Sequence, residues 1–306
     1  MENEITGKLR GVELSAELAD EIRKTLAASK ASSTIRAYQA AWKNWQNWCE
    51  VGGFESLPGT PDALAAYLTE RAKSIRSSSL NLACTAIGDA HKRAGFSNPC
   101  ADPVITTLMR GLRRQAAEKG EVPAQAAALT YDVVDIIRNH IESQTGPRKK
   151  ALRDLALITL LAATGLRRSE AAVLEWSDIY FENDGTGRLY VRRSKTDQTG
   201  KGAIIAIPAR VMEDLDRWDG VQGAGRTGRV FGLSGRQISR RIAANAAAAG
   251  LGEGFSGHSG RVGMAQTMTR KGAPIALIMR QGRWSSTIMV ARYTRRQSAG
   301  EALRYL

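Results

Sequence analysis

The chain has 306 residues, of which 43% are hydrophobic and 24% are charged, and its formal net charge is +14. This composition suits a globular protein of one or two domains, and the positive charge favours nucleic acid over an acidic membrane surface as the partner. Apolar runs stay below the roughly 18 residues of a membrane span, and the N-terminus lacks a signal peptide, which predicts a cytoplasmic protein. Cys49, Cys84 and Cys100 are predicted to be reduced core residues, and the absence of CxxC argues against structural zinc.

The first part of the chain is predicted to be a bundle of α-helices. Residues 1–13 have no clear periodicity and are expected to form a flexible arm. Apolar residues then recur at spacings of three and four, and Trp42 and Trp45 fall in this pattern. We therefore interpret these tryptophans as core residues rather than as platforms for stacked bases. The predicted helices are 14–29, 32–52, 61–72, 77–94 and 102–118.

Two places in this bundle are candidates for contact with a phosphate backbone. Hydroxyl side chains at the start of the fourth helix follow a basic residue, and free amides at such a helix end suit a phosphate. An ordinary capped helix beside a solvated basic loop explains the same pattern equally well. The fifth helix carries arginines on one face. The candidate residues are Arg76, Ser77, Ser78, Arg110, Arg113 and Arg114.

Residues 119–130 are predicted to link this helical domain, 14–118, to a second domain, 131–306. The segment contains Gly120 and Pro123 and shows little amphipathic pattern. The second domain is predicted to be mostly helical, with a β-hairpin over 188–207 because the hydrophobic period changes there. Its predicted helices are 131–143, 151–163, one starting within 166–176, 208–218, 234–249, 258–271, 274–281, 285–292 and 298–306.

Two arginines of the second domain occupy unfavourable positions for a cation. Arg167 and Arg261 each lie in the first turn of a predicted helix, where a positive charge opposes the helix dipole. Because the chain places an arginine at such a position twice, we expect the two helix ends to bind an anion between them. The alternative for each arginine alone is an ion pair with a nearby acid, and Glu170 is a candidate for Arg167.

Three further residues complete a set that could cleave a phosphodiester. Lys195 lies at the predicted hairpin tip, and His258 and Tyr293 belong to the basic C-terminal stretch. Attack by tyrosine needs guanidiniums to neutralise the phosphate oxygens, a base for the phenol and an acid for the leaving oxygen. The sequence shows no carboxylate cluster with two-metal spacing, which argues against a magnesium nuclease.

The order and context of these residues resemble the tyrosine recombinase (phage integrase) family, from about Ser32 to the end of the chain. The matching motifs are TGLRRSEAAVLEWSDI (164–179), RRSKTDQTG (192–200), GHSGRVGMA (257–265), IMRQGRW (278–284) and Tyr293. The resemblance implies a mainly α fold: an N-terminal helical-bundle core-binding domain, and a mostly helical catalytic domain with a small β-hairpin or sheet. Tyr293 would be the nucleophile, and Arg167 and Arg261 would hold the scissile phosphate.

The same resemblance assigns the remaining site residues. Lys195 would be the general acid for the 5′ hydroxyl, and His258 a base or a phosphate donor. Trp284 stands where many members have a second histidine; its indole N–H can donate to a phosphate oxygen but cannot shuttle a proton. Glu170 would help to order the site.

A recombinase of this kind would act on double-stranded DNA as a homotetramer on paired inverted-repeat sites. Its 3′-phosphotyrosyl intermediate keeps the bond energy, so the resemblance implies neither ATP nor a metal cofactor. The C-terminal segment 298–306, with Ala302, Leu303 and Leu306 on one side, would dock on a neighbouring protomer; packing on its own domain is the alternative. The chain opens with the helical bundle rather than an arm-binding domain, so accessory proteins are expected to be unnecessary. It would act in the cytoplasm, on the bacterial or phage nucleoid.

Other functions are open at this point. A type IB topoisomerase or telomere resolvase would use the same residues and differ only in the strand that the 5′ hydroxyl joins. A non-catalytic DNA-binding protein on this scaffold is a third reading, although the complete residue set argues against it. An integron-type integrase would need an added segment, for which there is no room between Arg261 and Tyr293.

Overall fold

The computed structural model describes residues 8–9, 12–13, 15–28, 30–121, 125–145, 148–192, 202–223 and 225–302. The chain divides into two compact units, Met1–Pro123 and Ala124–Leu306. The architecture is mostly helical with a small antiparallel sheet, which confirms the predicted fold class. Within the described ranges, the helices are all too short or too polar to span a membrane.

The first unit is a helical bundle preceded by a short strand pair. The strands β1 (Lys8–Leu9) and β2 (Val12–Glu13) pair antiparallel inside the segment predicted as an arm. The helices are α1 (Ala16–Ala28), α2 (Ser32–Gly52), α3 (Pro61–Arg71), α4 (Ser77–Arg93) and α5 (Pro103–Glu118). Thr60 caps α3, since its hydroxyl oxygen accepts a hydrogen bond from the Ala63 amide at 3.2 Å.

Aromatic residues from α2 and α3 form the core of this unit. Trp45 is fully buried, and its ring centroid lies 5.2 Å from that of Tyr67. The Trp45 indole nitrogen donates to the Ser56 carbonyl at 3.0 Å, so its polar atom is satisfied inside the bundle. Cys49 is free and lies in the same core. The tryptophan pattern is thus explained by packing.

The second unit contains a three-stranded sheet and eight helices within its described residues. The strands β3 (Ile179–Phe181), β4 (Gly187–Val191) and β5 (Ala203–Ile207) form an antiparallel sheet in that order. The pairing of β4 with β5 confirms the predicted hairpin, whereas β3 was not predicted. The helices are α6 (Tyr131–Ser143), α7 (Arg148–Thr164), α8 (Arg168–Val173), α9 (Ala209–Gln222), α10 (Gly235–Ala248), α11 (Ser259–Arg270), α12 (Ile275–Gly282) and α13 (Thr287–Ala302).

The end of the chain corrects one prediction. The sequence predicts separate helices over 285–292 and 298–306, but α13 is continuous from Thr287 to Ala302. The intervening residues 293–297 include neither proline nor glycine, and Thr294 is buried with its hydroxyl donating to the Val290 carbonyl at 3.0 Å. Nothing in this stretch breaks the helix, so the C-terminal segment begins as a continuation of the helix that carries Tyr293.

Close packing around α7 fixes the start of α11, which carries two of the predicted site residues. Residues Asp154–Thr164 of α7 are buried without interruption. At Gly263 a Cβ atom would lie 1.9 Å from the Leu129 carbonyl oxygen, so only glycine permits this approach. The Leu129 amide donates to the Ser259 carbonyl at 3.1 Å. Residues 125–130, which the sequence assigns to the linker, are therefore held on the second unit.

Candidate active site

Arg167 and Glu170 form a local ion pair at the start of α8. The Arg167 Nη1 atom donates to Glu170 Oε1 at 2.8 Å, and the Arg167 backbone amide donates to Oε2 at the same distance. Glu170 is buried, and Gly165, in the left-handed region with φ +59°, makes the turn that leads into this helix. The pairing with Glu170 proposed as the alternative is therefore present, and it orients the Arg167 guanidinium.

Arg261 lies in the first turn of α11 and is only 3% exposed. Its Nη1 atom donates to the Gly165 carbonyl at 2.8 Å and its Nη2 atom to the Gly282 carbonyl at 2.7 Å. Burial, followed by the charges of Arg167 and Arg283, lowers the pKa of Arg261 to about 10. The guanidinium stays charged near neutral pH and is fixed by two backbone carbonyls, which is the arrangement that a preorganised phosphate site needs.

Trp284 and Tyr293 pack beside this guanidinium. The Arg261 Cζ atom lies 4.8 Å from the centroid of the Trp284 ring, and the Tyr293 ring centroid lies 5.3 Å from the same indole. The Trp284 Nε1 atom is buried and has no hydrogen-bond acceptor in the described part of the chain. An unpaired buried N–H costs about 1–3 kcal/mol, so this donor is poised for an acceptor such as a phosphate oxygen.

The backbone of Tyr293 is held from two sides. Its carbonyl oxygen accepts hydrogen bonds from the side-chain amides of Gln266, at 3.1 Å, and Gln125, at 3.2 Å. Gln266 belongs to α11, the helix that carries Arg261. Helices α11 and α13 are thereby joined at the residue predicted to be the nucleophile.

His258 immediately precedes α11 and is exposed on one side. Partial burial lowers its pKa, and the positive charges of Arg261, Arg168, Arg167 and Arg292 lower it further. The imidazole is therefore neutral at neutral pH and able to accept a proton. This is the protonation state that the predicted role as a base requires.

Arg283 is a site residue that the sequence does not single out. Its side chain is 6% exposed, and its Nη2 atom donates to Glu170 Oε2 at 2.7 Å and to the Gly165 carbonyl at 3.3 Å. By sequence it was one of nine lysines and arginines between His258 and the C-terminus. The signals available in the sequence were its position next to Trp284 and its place within the motif IMRQGRW.

Some predicted residues lie outside the described part of the chain. Lys195, Leu303 and Leu306 are among them, and for Ala302 only the backbone is described. Their proposed roles remain predictions.

The predicted DNA-contact residues of the first unit are mostly exposed. Ser77 is the exception, because it binds an acidic side chain of the same unit. Arg76, Ser78 and the three arginines of α5 are exposed. The Ser77 amide and hydroxyl instead bind the Glu121 carboxylate, at 3.1 Å and 3.0 Å. The start of α4 thus has no local side-chain cap, and a distant acid of the same unit occupies the position predicted for a phosphate.

Two known proteins match this chain over nearly its whole length. An integrase/recombinase XerD homolog of Selenomonas ruminantium is 30% identical over 303 residues, which cover 92% of this chain and 87% of that protein. The Cre recombinase of Escherichia phage P1 is 25% identical over 310 residues and is matched over 90% of each chain.

Solved structures share the fold. A lambda integrase dimer bound to a COC′ core site superposes with a TM-score of 0.57 at 23% identity, covering 90% of this chain and 93% of that one. The Tn1549 transposon integrase in complex with transposon right end DNA gives a TM-score of 0.61 at 15% identity, covering 94% and 97%. Residues 128–299 match the model of the phage integrase family. The chain belongs to this family, the tyrosine site-specific DNA recombinases.

Proposed function

We propose that this chain is a Cre-like recombinase that cleaves and rejoins double-stranded DNA through a 3′-phosphotyrosyl bond to Tyr293. The observation that carries the proposal is the convergence of Arg261, Trp284 and Tyr293. A buried guanidinium and a phenol lie on the same indole, at 4.8 Å and 5.3 Å, and the indole N–H lacks an acceptor. A phosphate is the group that would use all three.

Cleavage is a transfer of the phosphate between two oxygens. The Tyr293 oxygen forms a bond to phosphorus as the bond to the 5′ oxygen breaks, and Arg167 and Arg261 neutralise the non-bridging oxygens. His258 accepts the phenolic proton, and Lys195 gives a proton to the leaving 5′ oxygen. Rejoining reverses these transfers with the 5′ hydroxyl of the partner duplex. The phosphotyrosine conserves the bond energy, so the scheme needs neither ATP nor a metal ion.

The working complex is a tetramer on paired inverted-repeat sites, with no accessory protein in the scheme. Exposed apolar side chains on α12 and α13 support a contact between protomers. Ile275, Leu277 and Ile288 are 50%, 48% and 75% exposed, so a contact with a neighbouring protomer would bury apolar surface there. The C-terminal segment 298–306 of a neighbouring protomer is the occupant we assign to this surface. The arginines of α5 hold the duplex by its phosphates.

The test is trapping of the covalent intermediate. Target duplexes are first selected from a random library by binding to the full chain, and then nicked so that the cleaved strand diffuses away. The unmodified protein should form a denaturant-resistant adduct with this DNA, and Tyr293→Phe should bind the DNA equally well without forming an adduct. Tyr180→Phe, which changes an exposed tyrosine of β3, is the matched control and should react normally. Adducts that persist in Tyr293→Phe would contradict the assignment of the nucleophile.

A further inference from the structure

Arg283 has a backbone conformation that side chains normally avoid. Its φ angle is +52°, in the left-handed region, and Arg226 at +57° is the other described residue besides glycine with a positive φ. Steric crowding of Cβ disfavours this region for every residue except glycine. An arginine persists at such a position when contacts of its side chain hold it there.

The side chain of Arg283 reaches both halves of the phosphate site. One carboxylate, that of Glu170, accepts from Arg167 through Oε1 and from Arg283 through Oε2, at 2.8 Å and 2.7 Å. One carbonyl, that of Gly165, accepts from Arg261 at 2.8 Å and from Arg283 at 3.3 Å. Arg283 therefore shares an acceptor with each of the two arginines that would bind the scissile phosphate.

The net charge of four side chains, those of Arg167, Arg261, Arg283 and Glu170, shows what Arg283 contributes. If Glu170 were paired with Arg167 alone, its negative charge would cancel the attraction that Arg167 exerts on a phosphate. Three guanidiniums and one carboxylate leave the group with a net charge of +2 instead. The side chains of Arg261, Arg283 and Glu170 are buried and that of Arg167 is only 17% exposed, so little water screens this balance.

We propose that Arg283 is a positioning residue that neutralises Glu170, so that Glu170 orients Arg167 without weakening its hold on the scissile phosphate. This inference rests on the proposed recombinase function and adds a member to its site. Arg283 acts through Glu170 and touches none of the reacting atoms in this scheme. A purely structural role, filling the space between α8 and α12, is the alternative that the experiment must separate.

The first variant is Arg283→Gly, because glycine adopts φ +52° without strain and the turn should be kept. We expect single-turnover cleavage of the nicked duplex to slow by about 10–100-fold, the usual loss when a group behind the reacting residues is removed, while the Kd for DNA stays within about twofold. Arg226→Gly is the matched control. It also removes an arginine at positive φ, one that lies on the Phe181 ring and pairs with Asp219, and it should cleave normally.

The decisive variant combines Arg283→Gly with Glu170→Gln. Removing both charges restores the net charge of +2, so the double variant should cleave about tenfold faster than Arg283→Gly. If Arg283 only fills space, the double variant should cleave more slowly than Arg283→Gly, because a second change at a damaged site lowers the rate further. Additive losses in the double variant would overturn the proposal, as would a normal rate for Arg283→Gly. If the unmodified protein forms no adduct at all, the recombinase assignment itself fails, which is a different result.

A second pair of variants covers the case in which Arg283→Gly does not fold. Arg283→Lys keeps the charge, and Arg283→Met removes it at similar volume. Thermal unfolding should report folded proteins for both, and Arg283→Lys should cleave about tenfold faster than Arg283→Met if charge is what matters. Equal rates for this pair would assign Arg283 a structural role and overturn the proposal.

Discussion

The arginines of the candidate active site and those of α5 differ in their burial. In the second unit, the side chains of Arg167 and Arg283 are 17% and 6% exposed, and each is fixed by a carboxylate. In the first unit, the side chain of Arg114 is 84% exposed, and its partner Glu118 is also in solvent. A reacting phosphate needs charges that are already in place and poorly screened, whereas a phosphate that only anchors the duplex is bound well by mobile, solvated cations. The difference in burial fits the two roles proposed for these arginines.

The largest effect on cleavage should come from changing Arg261, the most deeply buried arginine of the candidate active site. Arg261→Lys replaces a planar fork with one ammonium, which cannot donate to the Gly165 and Gly282 carbonyls in the same geometry. We expect single-turnover cleavage to fall by about 10²–10³-fold with little change in DNA binding. Arg270→Lys is the control on the same helix, because Arg270 is exposed and pairs with Asp132. If Arg261→Lys slows cleavage by less than tenfold, the distinction between the buried arginines of the candidate active site and the exposed arginines of α5 would be wrong.

An intermediate effect should appear in the pH dependence. Partial burial and then the positive charges of nearby arginines lower the pKa of His258, so the imidazole stays neutral, and able to act as a base, to a lower pH than an ordinary histidine. Cleavage at subsaturating DNA should therefore hold steady from pH 8 downwards and then fall about tenfold per pH unit, with a midpoint below the usual 6.5.

The control for this profile is His140→Gln, which changes a histidine of α6 outside the site and should keep the acid limb. His258→Gln should cleave more slowly and lose that limb. A midpoint above 6.5 in the unmodified protein would mean that burial and the neighbouring arginines do not set the protonation of His258.

The smallest effect should come from the exposed arginines. Arg110→Ala and Arg113→Ala should each weaken DNA binding a few-fold and reduce the slope of log Kd against log salt concentration by about one. The cleavage rate at saturating DNA should not change. Lys24→Ala, an exposed cation of α1 paired with Asp20, is the control. Salt slopes that match those of the control would remove α5 from the DNA-binding surface.

The proximity of two site residues was predictable from local spacing, because Arg261 follows His258 by three residues and one helix start presents both. Trp284, which follows α12, and Tyr293 on α13 were singled out by the motifs that resemble the family. The core of the first unit was predictable for the same reason. Periodic apolar positions, as at Trp45, specify a buried face before any tertiary contact is known.

The features that were missed depend on contacts between residues distant in sequence. The Ser77 amide is bound by Glu121, forty-four residues away, which no local pattern indicates. Strand β3 has three residues and is stable only because β4 lies beside it. The importance of Arg283 comes from its meeting with Glu170, 113 positions earlier in the chain. Sequence alone ranked this arginine with other basic residues.

The hydrogen bond from Gln125 to the Tyr293 carbonyl has a mechanical consequence. Gln125 is the first described residue of the second unit, so this 3.2 Å contact ties the start of that unit to the backbone of Tyr293. One exposed hydrogen bond is worth about 1 kcal/mol, far less than the packing that holds α13 in place. We therefore expect this hydrogen bond to break before α13 is displaced.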